Sequence, residues 1–277
     1  MNAVKTYSLL FMFFVIVFVF SYAESCKPKN NQLQHTDDIN NAIREEIGKY
    51  AYPLPSVFEA SEMLNGIEAA YLSEIVSRPE KAETYYTEKS KALNLGFYAT
   101  DLVYAITYNR KPDMQNYLKA SETLVRELDF AAAFDPDLPD RIEDNFENKD
   151  QLVQIITGMF QNVYAYLNRQ GRSEVSYLVL CGTIVEGIYL TTHISANTFQ
   201  NTKIIEAILF QKEPLEKLQK MMENQKSSEL LKETYQDISR INEIYAQEPG
   251  NTSMTEKQVT GLTGLVAEIR NKYINRQ

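Results

Sequence analysis

Histidine is nearly absent from this chain of 277 residues, which carries only His35 and His193. A zinc site built on two histidines would need both of them, and no HExxH segment occurs. A carboxylate-bridged di-iron bundle requires two Glu-x-x-His pairs, and the chain has none. The signatures of familiar catalytic loops are missing too: there is no G-x-S-x-G elbow, no Walker loop and no G-x-G-x-x-G. Acidic runs such as Asp135-Pro136-Asp137 and Glu143-Asp144 lack the spacing of a calcium loop and read as solvated loops and helix starts. No metal and no cofactor is expected.

Cysteine is equally scarce, at two residues, Cys26 and Cys181. With so few, a CxxC redox pair is excluded, and a disulfide would require both. Cys181 sits in an apolar run and reads as a small buried hydrophobe. Clusters of positive charge are also lacking. Lys and Arg number 28 against 37 Asp and Glu, net −9, and no helix drawn from the sequence carries a basic stripe. Phosphate attraction supplies most nucleic-acid affinity, so nucleic acid is not expected as a partner.

What the chain does have, at its start, is Lys5 followed by the unbroken apolar run LLFMFFVIVFVF from Leu9 to Phe20 and then small and polar residues. That order is a secretory signal, residues 1–25. Two cleavages compete. Ser21-Tyr22-Ala23 fits ordinary signal peptidase, whereas Ala23-Glu24-Ser25-Cys26 resembles a lipobox that makes Cys26 the lipidated N-terminus. The second is favoured because Cys26 opens a polar tether, KPKNNQLQHTDDINN, although Glu24 is unusual within a lipobox. An uncleaved span is a third option, but the apolar run falls well short of the roughly 20 residues that a bilayer core needs. If Cys26 is lipidated, no intramolecular disulfide can form and the core alone must hold the fold. The expected division is a signal peptide at 1–25, a lipidated tether at 26–52 and a single all-helical domain at 53–277. A flexible tether of that length spans roughly 30 Å.

From Pro55 onward the hydrophobic pattern has a helical period, and no run alternates as a strand would. The boxes Ser56/Glu59, Ser77/Glu80, Asp140/Glu143 and Ser253/Glu256 mark expected helix starts, with Asn148/Gln151 as a weaker fifth; Gly171 is an expected break. The expected helices are 56–77, 79–86, 88–109, 113–129, 139–147, 149–170, 173–196, 200–224, 227–247 and 254–274. Short connections favour antiparallel neighbours, giving an all-α multi-helix bundle. Solenoid-like helix pairs are the alternative, although the 34-residue period of tetratricopeptide repeats is absent.

Within KALNLGFYATDLVYAITYN, Asp101 sits among apolar and aromatic residues. On a helical wheel Ala92, Leu95, Ala99, Leu102, Val103 and Ile106 share one face, while Ser90, Asn94, Tyr98, Asp101, Tyr104 and Tyr108 share the other. The motif recurs in YLVLCGTIVEGIYLTTHIS, where Glu186, Tyr189, Thr192 and His193 stand as Asp101, Tyr104, Thr107 and Tyr108 do. A buried ionised carboxylate must find donors or be protonated. The favoured expectation is a satisfied internal network with tyrosine hydroxyls as donors. The first alternative is one cavity lined by Tyr98, Asp101, Tyr104, Tyr108, Glu186, Tyr189 and His193 that binds a small polar or cationic ligand. The second is a hydrolase or lyase with Asp101 or Glu186 as general base and His193 as its partner.

The stretches PSVFEASEMLN, KALNLGFYATDLVYAITYN and ENKDQLVQIITGMF give the chain a further likeness. Over most of residues 55–195 it resembles an uncharacterised group of all-helical lipoproteins from Bacteroidota-type bacteria. The resemblance implies an exported, lipid-anchored protein of the cell envelope. The expected location is the outer membrane, on either its periplasmic or its surface face. It implies no activity and carries over no site residues. The expected function is a non-catalytic scaffold that meets an envelope protein partner or a small ligand.

Overall fold

The computed structural model describes residues 53–275, apart from 134, 196–197 and 248–252. The signal peptide, Cys26 and the tether lie outside the described residues. Among the described residues there are ten α-helices and no strand. They are α1 (Pro53–Gly66), α2 (Glu88–Thr107), α3 (Lys111–Glu127), α4 (Leu138–Asp144), α5 (Lys149–Arg169), α6 (Ser173–His193), α7 (Thr202–Phe210), α8 (Lys212–Met222), α9 (Lys232–Ala246) and α10 (Glu256–Ile274). The fold is an all-α multi-helix bundle.

Its centre is the pair α2 and α6, which run in the same direction. The N-cap residue of α6, Arg172, reaches Glu88 at the start of α2 with its Nη2 2.7 Å from Oε1. Two glycines set their approach. A Cβ built on Gly96 would lie 2.1 Å from the Val179 carbonyl oxygen, and one on Gly182 would lie 2.0 Å from that of Leu93. Only hydrogen fits there, so the two backbones touch. Thr100 clamps the crossing by donating its hydroxyl to the Thr183 carbonyl at 3.1 Å. α1, α3, α5, α8 and α10 pack around this pair. That explains why α6 is apolar on every side. It is long and apolar enough to cross a membrane, yet 89 % of its apolar window is buried inside the fold, as in a core helix.

Four helices end in the same way, with one residue in the left-handed conformation. These are Glu68 (φ 59°), Asn109 (φ 54°), Asp129 (φ 59°) and Gly171 (φ 71°). The next N–H then reaches back to an orphan carbonyl, as Arg110 does to Ala105 at 2.8 Å and Arg172 to Leu167 at 2.8 Å.

Several expected boundaries are corrected. The helix expected over 56–77 stops at Gly66, and Ile67–Arg78 forms an irregular strap followed by a 3₁₀ turn, Pro79–Thr84, in place of a helix at 79–86. The expected helix 200–224 is broken at Gln211, just before Pro214. α9 begins at Lys232 rather than 227. Among the expected starts, Asn148 does cap α5, accepting from the Gln151 N–H at 3.1 Å. The box at the start of α10 is Thr255 with Gln258, two residues beyond Ser253/Glu256. α1 already begins at Pro53, three residues before Ser56, and α4 begins at Leu138 without a side-chain cap. Ser77 caps nothing, because its groups are committed elsewhere.

Candidate functional site

Asp101 on α2 and Glu186 on α6 come one turn after the Gly96–Gly182 crossing, so parallel helices carry both carboxylates to the same level. Both are wholly shut off from solvent. The strap lies across them and inserts Ser77. The Ser77 N–H donates to Asp101 Oδ2 at 2.9 Å, and its hydroxyl donates to Glu186 Oε1 at 3.2 Å. Its carbonyl accepts from the Tyr117 hydroxyl at 2.9 Å. Arg270, on α10, completes the layer. Its Nε and Nη2 grip Glu186 at 2.6 and 2.7 Å, and Nη2 also donates to the Ile75 carbonyl at 3.0 Å and the Ser77 hydroxyl oxygen at 3.1 Å.

One guanidinium faces two carboxylates here, and it is spent on Glu186. Asp101 Oδ1 has no hydrogen-bond partner among the described residues. Burial first, and the charge of Glu186 second, hold the Asp101 carboxyl well above the usual range, against the pull of Arg270 and the Ser77 N–H.

The tyrosines do a different job from the one expected of them. None of the tyrosines of α2 donates to a carboxylate. The Tyr98 hydroxyl donates to the Arg78 carbonyl at 3.0 Å, and the Tyr104 hydroxyl accepts from the Leu72 N–H at 3.1 Å. Tyr71 of the strap stacks on Tyr104, with ring centroids 4.8 Å apart, and leans on Tyr108 at 5.8 Å. Tyr98, Asp101 and Tyr104 of the polar stripe thus bind the main chain of the strap. Burial pushes the Tyr98, Tyr104 and Tyr117 hydroxyls upward, so none serves as a base near neutral pH.

Tyr189 lies over Arg270 with the guanidinium carbon 4.0 Å from its ring centroid, and His193 stacks on its other face at 3.9 Å. His193 Nδ1 is 2.8 Å from the Tyr189 carbonyl. Burial lowers the imidazole's pKa from its ordinary value, an effect the Tyr189 hydrogen bond opposes.

The structure thus brings Asp101, Glu186 and Tyr189 into one closed layer, and His193 reaches out of it. A cavity of about 750 Å³ opens beside His193, and neither Asp101 nor Glu186 is among the residues that line it. Tyr98, Tyr104 and Tyr108 face the strap instead. Among the described residues no group of three or more His, Cys, Asp or Glu is placed to share a metal ion. Cys181 is buried with its sulfur 3.5 Å from that of Met222, and burial raises its thiol pKa.

Sequence reasoning missed Arg270 and Ser77. Arg270 did leave a signal: it follows Val266 by four residues and precedes Tyr273 by three, so it stands on the apolar stripe of α10. Ser77 was hidden, because its box with Glu80 has the spacing of a helix cap. Comparison of the chain with models of known protein families, with curated proteins and with solved structures finds no match.

Proposed function

We propose that this is an exported, lipid-anchored protein of the cell envelope, held at the outer membrane through Cys26, whose helical domain is a non-catalytic scaffold for a protein partner or a small ligand. The single observation that carries the non-catalytic part is the enclosure of Asp101 and Glu186. A general base must touch the proton it removes. Glu186 spends both oxygens on Arg270, and Asp101 spends one on Ser77, with the strap laid over both. The export and anchor rest on the leader Leu9–Phe20 and the lipobox-like Ala23–Cys26.

Two measurements test the reading. Cells fed a labelled fatty acid should yield a labelled mature chain in the envelope fraction, and Cys26→Ser should abolish the label; a mature chain that begins at Glu24 without lipid would overturn the anchor. Purified protein incubated with an envelope metabolite extract should leave its composition unchanged. Turnover of any component that disappears in Glu186→Gln would overturn the scaffold.

A further inference from the structure

The cavity beside His193 lies between the last turn of α6, the turn Thr198–Gln200 and the first half of α10. Its chemistry is lopsided. The Tyr189 carbonyl can only accept, so His193 Nδ1 carries the proton of the neutral ring and Nε2 is left as an acceptor. Three threonines in the lining have committed their hydroxyl protons to main-chain carbonyls: Thr192 to Ile188 at 2.8 Å, Thr198 to Ser195 at 2.6 Å and Thr263 to Val259 at 2.8 Å. What they have left to offer is lone pairs. Ser195, Gln200 and Thr260 add groups that can either donate or accept, Glu256 adds a carboxylate, and among the described residues neither Lys nor Arg is found in the lining. Arg270 stands behind Tyr189, with its charge taken up by Glu186. Phe199, 41 % exposed, is one of two large apolar side chains left in solvent among the described residues and supplies a ring face.

A wall whose one charged group among the described residues is a carboxylate, with acceptors at His193 and three threonines and an exposed aromatic ring, complements a donor that is positively charged and partly apolar. We propose that this cavity is a binding site for a small organic cation of the amine class. The proposal rests on the scaffold reading and names its ligand chemistry. The ammonium sits toward Glu256 and His193 Nε2, and the apolar body lies against Phe199.

The full chain in detergent micelles, probed by saturation-transfer NMR with benzylamine and benzoate, tests the assignment. Benzylamine should bind and benzoate should not. Phe199→Ser and Glu256→Gln, both at exposed positions where the fold is not at stake, should each weaken benzylamine binding about three- to fivefold. The Glu256 effect should shrink as salt is raised. Equal saturation of the two probes, benzylamine binding unchanged in both variants, or no saturation of benzylamine overturns the assignment. None of these outcomes touches the scaffold reading, which falls instead on turnover lost in Glu186→Gln.

Discussion

Arg270 lies across the carboxylate of Glu186 with both hydrogen bonds of its fork made, Nε to Oε2 at 2.6 Å and Nη2 to Oε1 at 2.7 Å, and only 8 % of the arginine side chain meets solvent. The pair joins α6 to α10, through residues 84 positions apart in the sequence. Breaking one side of such a pair leaves a charge buried without its partner, which costs about 3–5 kcal/mol. Arg270→Met should therefore lower unfolding stability by that amount in a urea titration. Arg270→Met with Glu186→Gln should recover a large part of the loss, because the second change removes the stranded charge. Additive losses in the double-mutant cycle would show that the pair is not coupled.

Asp101 gives stability a pH dependence of known sign. Its carboxyl titrates above the ordinary range, through burial and the neighbouring Glu186 charge. The folded chain therefore keeps a proton that the unfolded chain releases near pH 4. The stabilisation from this proton is complete below about pH 4 and is lost as pH rises toward the folded value, with a slope of at most about 1.4 kcal/mol per pH unit. Asp101→Asn cannot ionise. The stability of the natural chain minus that of Asp101→Asn should fall steadily as pH climbs from about 4. A difference that stays flat across that window would mean that Asp101 is already ionised within the fold.

The helical architecture was legible because hydrophobic periodicity is a property of each segment alone. α2, α5 and α6 fall within a few residues of the ranges read from the sequence. Helix ends were less legible, since three of the four left-handed terminators are Glu68, Asn109 and Asp129, residues that only context drives to positive φ. Gly171 alone announced itself. The site was half legible. The recurrence of a carboxylate and a tyrosine in α2 and α6 did mark two helices that lie side by side. What satisfies those carboxylates was hidden, because Ser77 and Arg270 reach them from an irregular strap and from the last helix, and no local pattern records a contact of that range.

The two glycine contacts make a sharp prediction with an internal control. Gly96→Ala places a methyl 2.1 Å from the Val179 carbonyl oxygen, a backbone atom that cannot rotate aside. The central helices must then separate, and overpacking of this kind costs about 1–3 kcal/mol or more. Gly158 lies within α5, where a methyl would meet nothing within 4 Å. Gly158→Ala should raise stability by about 0.5–1 kcal/mol through helix propensity alone. Thermal melts of the two variants should move in opposite directions.

Ser121 on α3 is a polar residue whose site asks for an apolar one. It is buried, its hydroxyl has no hydrogen-bond partner among the described residues, and it borders a cavity of about 20 Å³ lined by Leu95, Leu102, Phe160 and Val179. A water there would find a single polar partner, too few to hold it. A hydroxyl taken from water without compensation costs about 1–3 kcal/mol, so Ser121→Ala should stabilise the fold, with helix propensity adding to the gain. An increase of about 1 kcal/mol, or about 2–4 °C in Tm, is expected. Thr100 supplies the contrast, since its equally buried hydroxyl bridges the Gly96 and Thr183 carbonyls at 3.1 Å each. Thr100→Val keeps the shape and removes those bonds, so it should cost about 1 kcal/mol. If both variants lose stability alike, the Ser121 hydroxyl has a partner and the cavity is wet.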